Sequence, residues 1–518
     1  MQEFTILHVY CGLGGAALGA QQAISEYRGM VGKFRTLCGI DCDPESCADF
    51  EVLTGAPAVH MDLFSRDDYT AFHGHEPDAG WQEVSPDDLL TATGGEYPDV
   101  VFLSPPCKGF SALLPKKRAK SNKYQALNRL TLRGIDLVLQ AYQDDLPAVF
   151  LIENVPRIKS RGKTFLHRIK GLLSRHGYEF FDSDHDCGEI GGLAQHRKRY
   201  LLIARNRDKV PNWIFQPPKK TVRPMKDVIA PLPMPDDPGM GELHRLPRLQ
   251  WKTWMRLALI PAGGDWRDLE DIPFKDLRLK HTPRDGVFQV AKWNEPCRAI
   301  IGHARPGGSN GVAAVADPRT GFKANTHTAI YSVCDFNQPA RTVTGALRPN
   351  NGAICINDPR LNCKPRSGSY GVLAWDKPSS TVIGSDDIHA GSSAVAEPRI
   401  AETGFDTGIP KDREPGKWVI ISQDGTWHRP LTTLELAALQ GLPVILPDGR
   451  PLQLAGNSDA RWRERIGNAV PPPAMKAIAE QLLDSLLVSK QGDLVLGNTG
   501  LWVREDISRG QPLKPAER

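Results

Sequence analysis

The sequence predicts an α/β protein whose first half is Rossmann-like, and three observations predict it. An apolar run, Phe4–Val9, leads into the glycine-rich segment Tyr10-Cys-Gly-Leu-Gly-Gly15. A second run, Phe34–Ile40, ends in Asp41, and a third, Ala58–Met61, ends in Asp62. Short apolar runs bounded by turn residues read as buried strands of a parallel sheet. Polar groups at successive strand ends then share one crevice.

Gly12, Gly14 and Gly15 allow a tight turn and close backbone approach to a ligand. A helix starting near Ala16 offers free N–H groups to a carboxylate. The loop departs from the full G-x-G-x-x-G nucleotide fingerprint. Asp41 is placed to accept hydrogen bonds from ribose hydroxyls, while Asp43 reads as a cap for the helix beginning at Pro44. Asp62 is placed to meet an adenine edge. These features together point to an adenosine-bearing cofactor.

A fourth strand, beginning at Val101, runs into Ser104-Pro-Pro-Cys-Lys-Gly-Phe-Ser111, a rigid turn that presents the Cys107 thiol. Cysteine is a strong nucleophile whose reactivity follows its thiolate content. The next segment holds Lys116, Lys117 and Arg118. Beside a nucleophile, these cations and Ser111 suit backbone phosphates. A fifth run, Ala148–Ile152, ends in Glu153-Asn154-Val155 and brings a carboxylate to the same edge. A carboxyl that hydrogen-bonds a ring nitrogen must carry a proton or gain one with the substrate. The segment Gly191–Ala204 reads as a further strand preceded by Gln195, Arg197 and Arg199. If it is extended from Gln195 onward, the three project on one face.

Composition sets outer bounds. The chain has 518 residues, 40% apolar and 24% charged, and no apolar stretch long enough to span a membrane. No basic and apolar leader opens the sequence, so a cytoplasmic setting is expected. Ten cysteines occur without paired CxxC spacing, which favours reduced buried thiols and no metal. A net charge of +4 allows a nucleic-acid partner only if the cations cluster.

The ordered motifs resemble those of the DNA cytosine C5-methyltransferase family. They are the glycine loop at 11–15, Pro105-Pro106-Cys107, Glu153-Asn154-Val155 and Gln195/Arg197/Arg199. Arg429-Pro-Leu-Thr-Thr-Leu-Glu-Leu-Ala-Ala-Leu-Gln-Gly-Leu-Pro443 and Gly467-Asn-Ala-Val-Pro-Pro472 close the series. The resemblance covers about 4–205 and 427–487. It implies an α/β fold: a Rossmann-like S-adenosylmethionine-dependent methyltransferase domain with a mostly β second domain. It implies transfer of a methyl group from S-adenosylmethionine, leaving S-adenosylhomocysteine, to C5 of a cytosine flipped out of double-stranded DNA. An RNA cytosine C5-methyltransferase on the same core, and a DNA-binding member with altered catalysis, are the alternatives.

By the same resemblance Cys107 attacks C6, Glu153 holds the N3 and amino edge, Arg199 meets the base carbonyl and a phosphate, and Arg197 organises the site. Tyr10, Cys11, Gly12, Gly14, Gly15, Asp41, Cys42, Asp62, Pro105, Asn468 and Val470 would line the cofactor pocket. Ser111, Lys116, Lys117, Arg118 and Gln195 would contact DNA. A monomer associated with the nucleoid through DNA follows. Its place in biology stays open between protection beside a restriction or anti-phage system, solitary action and a phage origin. Three positions depart from the family pattern: Tyr10-Cys11 before the first glycine, Cys42 after the ribose acid, and Lys108 after the nucleophile.

Residues 1–205 thus form the first part of the catalytic domain, 206–426 a target-recognition domain, 427–490 a closing segment and 491–518 a tail. The middle repeats. Phe288–Gly302, Tyr331–Gly345 and Tyr370–Gly384 align without gaps, and each is followed by an acidic-Pro-Arg triplet at 317–319, 358–360 and 397–399. The unit reads as an aromatic-x-Val strand, a turn, and a β-branched strand ending at glycine. Trp293, Phe336 and Trp375 are expected to pack between units. Arg305, Arg348 and Asn350, in the loops after the glycines, suit base edges.

Overall fold

A computed structural model describes residues 1–106, 121–248, 251–260, 266–269, 279, 282–302, 305–306, 311–317 and 427–493. It also describes short strands at 333–335, 355–357, 372–374, 394–396, 420–421 and 501–503. The chain divides into two compact units, Met1–Pro318 with Lys417–Arg518, and Arg319–Gly416.

The first unit is built on an eight-stranded sheet. In chain order its strands are β1 (Gln2–Val9), β2 (Ile24–Tyr27), β3 (Met30–Asp41), β4 (Ala58–His60), β5 (Val100–Leu103), β6 (Val149–Asn154), β7 (Tyr178–Asp186) and β8 (Lys198–Asn206). Their spatial order is β2-β3-β1-β5-β6-β8-β7, with β4 pairing with β3. On the edge away from β1, the long β3 serves two partners: its start pairs antiparallel with β2, and its end, Gly39–Asp41, pairs parallel with β4. β3, β1, β5 and β6 are parallel, and β8 lies antiparallel between β6 and β7.

The pattern of side chains explains why these runs become central strands. Val100, Phe102, Val149 and Leu151 face one core, shared with Phe4 and Ile6 of β1. Val101, Leu103, Phe150 and Ile152 face the other, shared with Leu7 and Val9. Alternate residues thus serve two cores, as a sheet covered on both faces requires. The first face is covered by the helix Pro472–Gln491, whose Ala474, Ile478 and Leu482 join that core. The second is covered by Asn122–Ala141 and Lys163–Arg175. The late segment is therefore a structural part of the first domain.

Connectivity places the crevice. From β1 the chain moves outward to β3 and β4, then returns to the opposite side of β1 as β5. This reversal opens a cleft beyond the carboxyl ends of β1 and β5, where open α/β sheets bind ligands.

The expectation of a mostly β second domain is corrected. Beyond β8 the described residues mix helix with strand: helices Lys226–Ile229, Trp251–Leu259 and Thr433–Leu439 accompany the small sheet formed by Val290–Ala291, Ala314–Ala316, Trp427–Pro430 and Ile420–Ile421. Amphipathic helical spacing at 251–259 and a capping box at Thr432/Glu435 dictate helices there. Trp293 packs, partly buried, on the core of this region.

Val290–Ala291 pairs parallel with Ala314–Val315. In the second unit Val333–Asp335 pairs in the same sense with Cys355–Asn357, and Val372–Ala374 with Ala394–Ala396. In each pair the second strand precedes the acidic-Pro-Arg triplet. The strand expected to end at Gly302 is not one: residues 299–302 run outside any ladder. Ile300 and Cys297 instead bond to Gln195, His196 and Arg197. Phe336 and Trp375 lie outside the described residues.

Candidate active site

The cofactor cradle is assembled from the ends of β1, β3 and β4. After Val9 the chain turns sharply through Tyr10, Gly12 and Gly14, all with positive φ. Positive φ in an aromatic residue is strained, and Tyr10 is tied down by its hydroxyl donating to the Leu130 carbonyl at 2.7 Å. Gly134 leaves room for that ring, since a Cβ there would sit 2.6 Å from the Tyr10 hydroxyl. The Gly12 amide donates to Asp41 Oδ2 at 2.9 Å, and the Asp43 amide to Asp41 Oδ1 at 3.0 Å. Burial nevertheless pushes the Asp41 carboxyl above its ordinary value, with these amides opposing. Asp62 Oδ1 accepts from the Phe64 amide at 3.0 Å. A Cβ on Gly12 would meet open space.

The closing segment completes one wall. A side chain at Gly15 would collide with the Val470 carbonyl, and one at Gly19 with that of Pro472. Glycine is required at both by backbone crossing. Val470 is buried, and Asn468 is exposed at the end of the helix Asp459–Asn468. That helix also reaches the acidic loop. Arg461 donates to Asp43 at 2.8 Å and Glu45 at 2.7 Å, and Arg465 pairs with Glu45 and Asp49. Sequence reasoning missed this clamp; the only signal was alternating charge in Arg461-Trp-Arg-Glu-Arg465. Burial raises the Cys11 thiol well above its usual range, so it stays neutral, and Cys42 is exposed.

The candidate catalytic edge lies beyond the ends of β5 and β6 and the start of β8. Glu153 Oε1 pairs with Arg199 Nε at 2.9 Å, with both side chains mostly buried. The geometry follows from register: Glu153 stands opposite Leu201, so Arg199 is its diagonal neighbour on the same face. Ser104 Oγ donates to Glu153 Oε2 at 3.1 Å. Sequence reasoning did not single out Ser104. Pro105 is buried and follows directly. Cys107, Ser111, Lys116, Lys117, Arg118, Arg348 and Asn350 lie outside the described residues. Arg305 is exposed.

Gln195, Arg197 and Arg199 do not share a face. β8 begins only at Lys198, and Gln195 is fully buried. Gln195 Nε2 donates to the Leu439 carbonyl and to Gln440 Oε1, and its Oε1 accepts from the Ile300 amide. It is therefore withdrawn as a nucleic-acid contact. Arg197, 1% exposed, donates to the carbonyls of Ile300, Gly467 and Ala469 at 2.6–2.9 Å. Its organising role is that of an internal strut joining three segments distant in sequence. Among the described residues no group of three or more His, Cys, Asp or Glu side chains could hold a metal. Nor is any helix among them long and apolar enough to cross a membrane.

Residues 4–237 match the family model described as C-5 cytosine-specific DNA methylase. The matched segment takes in β1 to β8 together with the glycine turn, Asp41, Glu153 and Arg199. Its cofactor is S-adenosylmethionine, and the open space above Gly12, the Asp41 acceptor and the Val470 wall suit that group. Among curated proteins it is similar to rat DNA (cytosine-5)-methyltransferase 1, 24% identical over 445 residues. That match takes in 75% of the chain but only 23% of the rat protein's length. Among solved structures it is similar to the Schizosaccharomyces pombe Dnmt2 methyltransferase, with 13% identity, 95% of this chain and 99% of the other covered, and a TM-score of 0.42. A Spodoptera frugiperda DNMT2 mutant aligns with 13% identity over 93% and 99% at a TM-score of 0.45. The expectation of an enzyme specific for double-stranded DNA is corrected: the family match ends at residue 237 and leaves the region expected to select the target outside it, so duplex DNA is not singled out.

Proposed function

We propose that this chain methylates C5 of a cytosine in RNA. The observation that carries the chemistry is the Glu153–Arg199 pair beside the Pro105-Pro106 turn, at the carboxyl edge of the sheet that holds the cofactor cradle. This chemistry is indifferent to the sugar of the polynucleotide. With the duplex-specific reading withdrawn, RNA is the substrate class.

In this reading the Cys107 thiolate adds to C6 of the cytosine, and the ring electrons are pushed toward C5 and N3. Glu153 shares a proton with N3 and accepts from the 4-amino group, which stabilises charge as it develops. Arg199 keeps the carboxylate facing the base and meets the base carbonyl. Asp41, Asp62 and the Gly12–Gly15 turn hold the cofactor, and S-adenosylmethionine supplies the methyl group. A base then takes the C5 proton, the C5–C6 double bond re-forms and Cys107 leaves as thiolate. Ser111, Lys116, Lys117 and Arg118 are assigned to phosphates. Residues 206–426 are assigned to target selection, with Arg305, Arg348 and Asn350 as base contacts.

The test is parallel incubation of the full chain with methyl-labelled S-adenosylmethionine and either transfer RNA or double-stranded DNA. Label recovered as 5-methylcytidine from RNA is the expected result. Label in DNA alone, or on another base, would overturn the reading.

A further inference from the structure

Glu153 uses both carboxylate oxygens, and only one goes to the arginine that the motif supplies. The other accepts from Ser104 Oγ at 3.1 Å. This contact is a property of the sheet. β5 and β6 are parallel with Leu103 beside Ile152, so the next pair in register is Ser104 beside Glu153. The Ser104 amide donates to the Val9 carbonyl at 3.2 Å and extends the ladder by one residue. Pro105 and Pro106 have no amide hydrogen, so Ser104, directly after β5, carries the last amide that can pair before Cys107. Its side chain is thereby fixed to a rigid element, one strand away from the carboxylate.

A hydroxyl has a further property that neither Arg199 nor a backbone amide has. It donates to a carboxylate, and after rotation it accepts from a carboxylic acid. Glu153 must change its share of a proton as charge develops on the cytosine ring. Arg199 can only donate, and so favours one of those states. We propose that Ser104 is a positioning residue for the methyl-transfer reaction, holding the Glu153 carboxyl in one orientation while its proton is shared with the base. The proposal rests on the functional reading above.

The test compares wild type, Ser104→Ala, Ser104→Thr, Glu153→Gln and the Ser104→Ala/Glu153→Gln double variant in steady-state methylation of RNA. A hydrogen bond to a charged group supports a loss of about tenfold in kcat for Ser104→Ala, with KM for S-adenosylmethionine unchanged. Threonine keeps the hydroxyl and is expected to restore the rate. In the Glu153→Gln background, removing the Ser104 hydroxyl should cost nothing further, because coupled residues are non-additive. Wild-type kcat in Ser104→Ala, with Glu153→Gln inactive, overturns the role of Ser104 and leaves the functional reading standing. So does an equal loss from Ser104→Ala in both backgrounds, which would mark a general packing defect. If wild type methylates no RNA, both readings fall.

Discussion

Two of the arginine–carboxylate sites among the described residues turn the same chemistry to opposite ends. At the candidate catalytic edge, Arg199 Nε pairs with Glu153, and the arginine remains partly exposed. Beneath the small sheet, Arg429 pairs with both Asp317 and Glu435 at 2.6–2.9 Å, and all three side chains are 0–2% exposed. Arg429 also fixes its own neighbourhood, since Glu435 accepts from the Thr432 amide in the capping box. The arginine holds the Glu435 carboxyl below its usual value against the effect of burial. The difference lies in saturation: a fully bonded buried triad sets a junction, whereas a pair at a strand end keeps one side open to substrate.

The sharpest break in that comparison is chemical. Glu153→Gln is expected to lower the methylation rate by about a hundred- to ten-thousandfold while leaving the unfolding midpoint nearly unchanged, read by single-turnover assay and thermal denaturation. The buried site should respond the other way. Arg429→Leu strands two buried carboxylates and is expected to cost about 3–5 kcal/mol, measured by urea unfolding, with activity tracking the folded fraction. A stable Arg429→Leu protein would show that the triad does not hold the junction.

A third variant separates the cradle from both. At Gly15 a methyl group must displace the Val470 backbone. Gly15→Ala is therefore expected to cost about 1–3 kcal/mol and to raise KM for S-adenosylmethionine, with the rate at saturating cofactor changed least. An unchanged KM would detach the closing segment from the pocket.

The smallest effect at neutral pH concerns His8, buried between Phe50 and Phe102 with no hydrogen-bond partner on either ring nitrogen. Burial pushes its imidazole from 6.5 down to about 3. Between these values the unfolded chain binds a proton that the folded chain excludes. The contribution to stability is therefore full above about 6.5 and is lost as pH falls through the window. His8→Leu should leave stability at pH 7 nearly unchanged and flatten this acid loss, as followed by urea unfolding from pH 7 to 4.

Much of the site was legible in order of residues. Glycine loops, strand-terminal acids and an apolar run ending in Glu153 each carry a local signature, because strand ends and tight turns constrain residue type directly. Gln195 and Arg197 do not join Arg199 on one face, because alternation gives a common face only inside a strand, and β8 starts after them. Their partners at 300, 439–440 and 467–469 are far away in sequence. The mixed character of the middle segment was hidden because the repeats suggested strands, while the helices beside them carry no repeat.

By itself the sequence determined the strands, the turns that need glycine and the acids at the strand ends, since these follow from local sterics and from the period of apolar residues. Tertiary structure alone decided which arginine faces Glu153 and which becomes a buried strut. It also decided that Ser104 stands beside Glu153. Register between neighbouring strands is a long-range property, fixed by packing on both faces of the sheet, and a one-residue shift would turn each of these side chains to the other face.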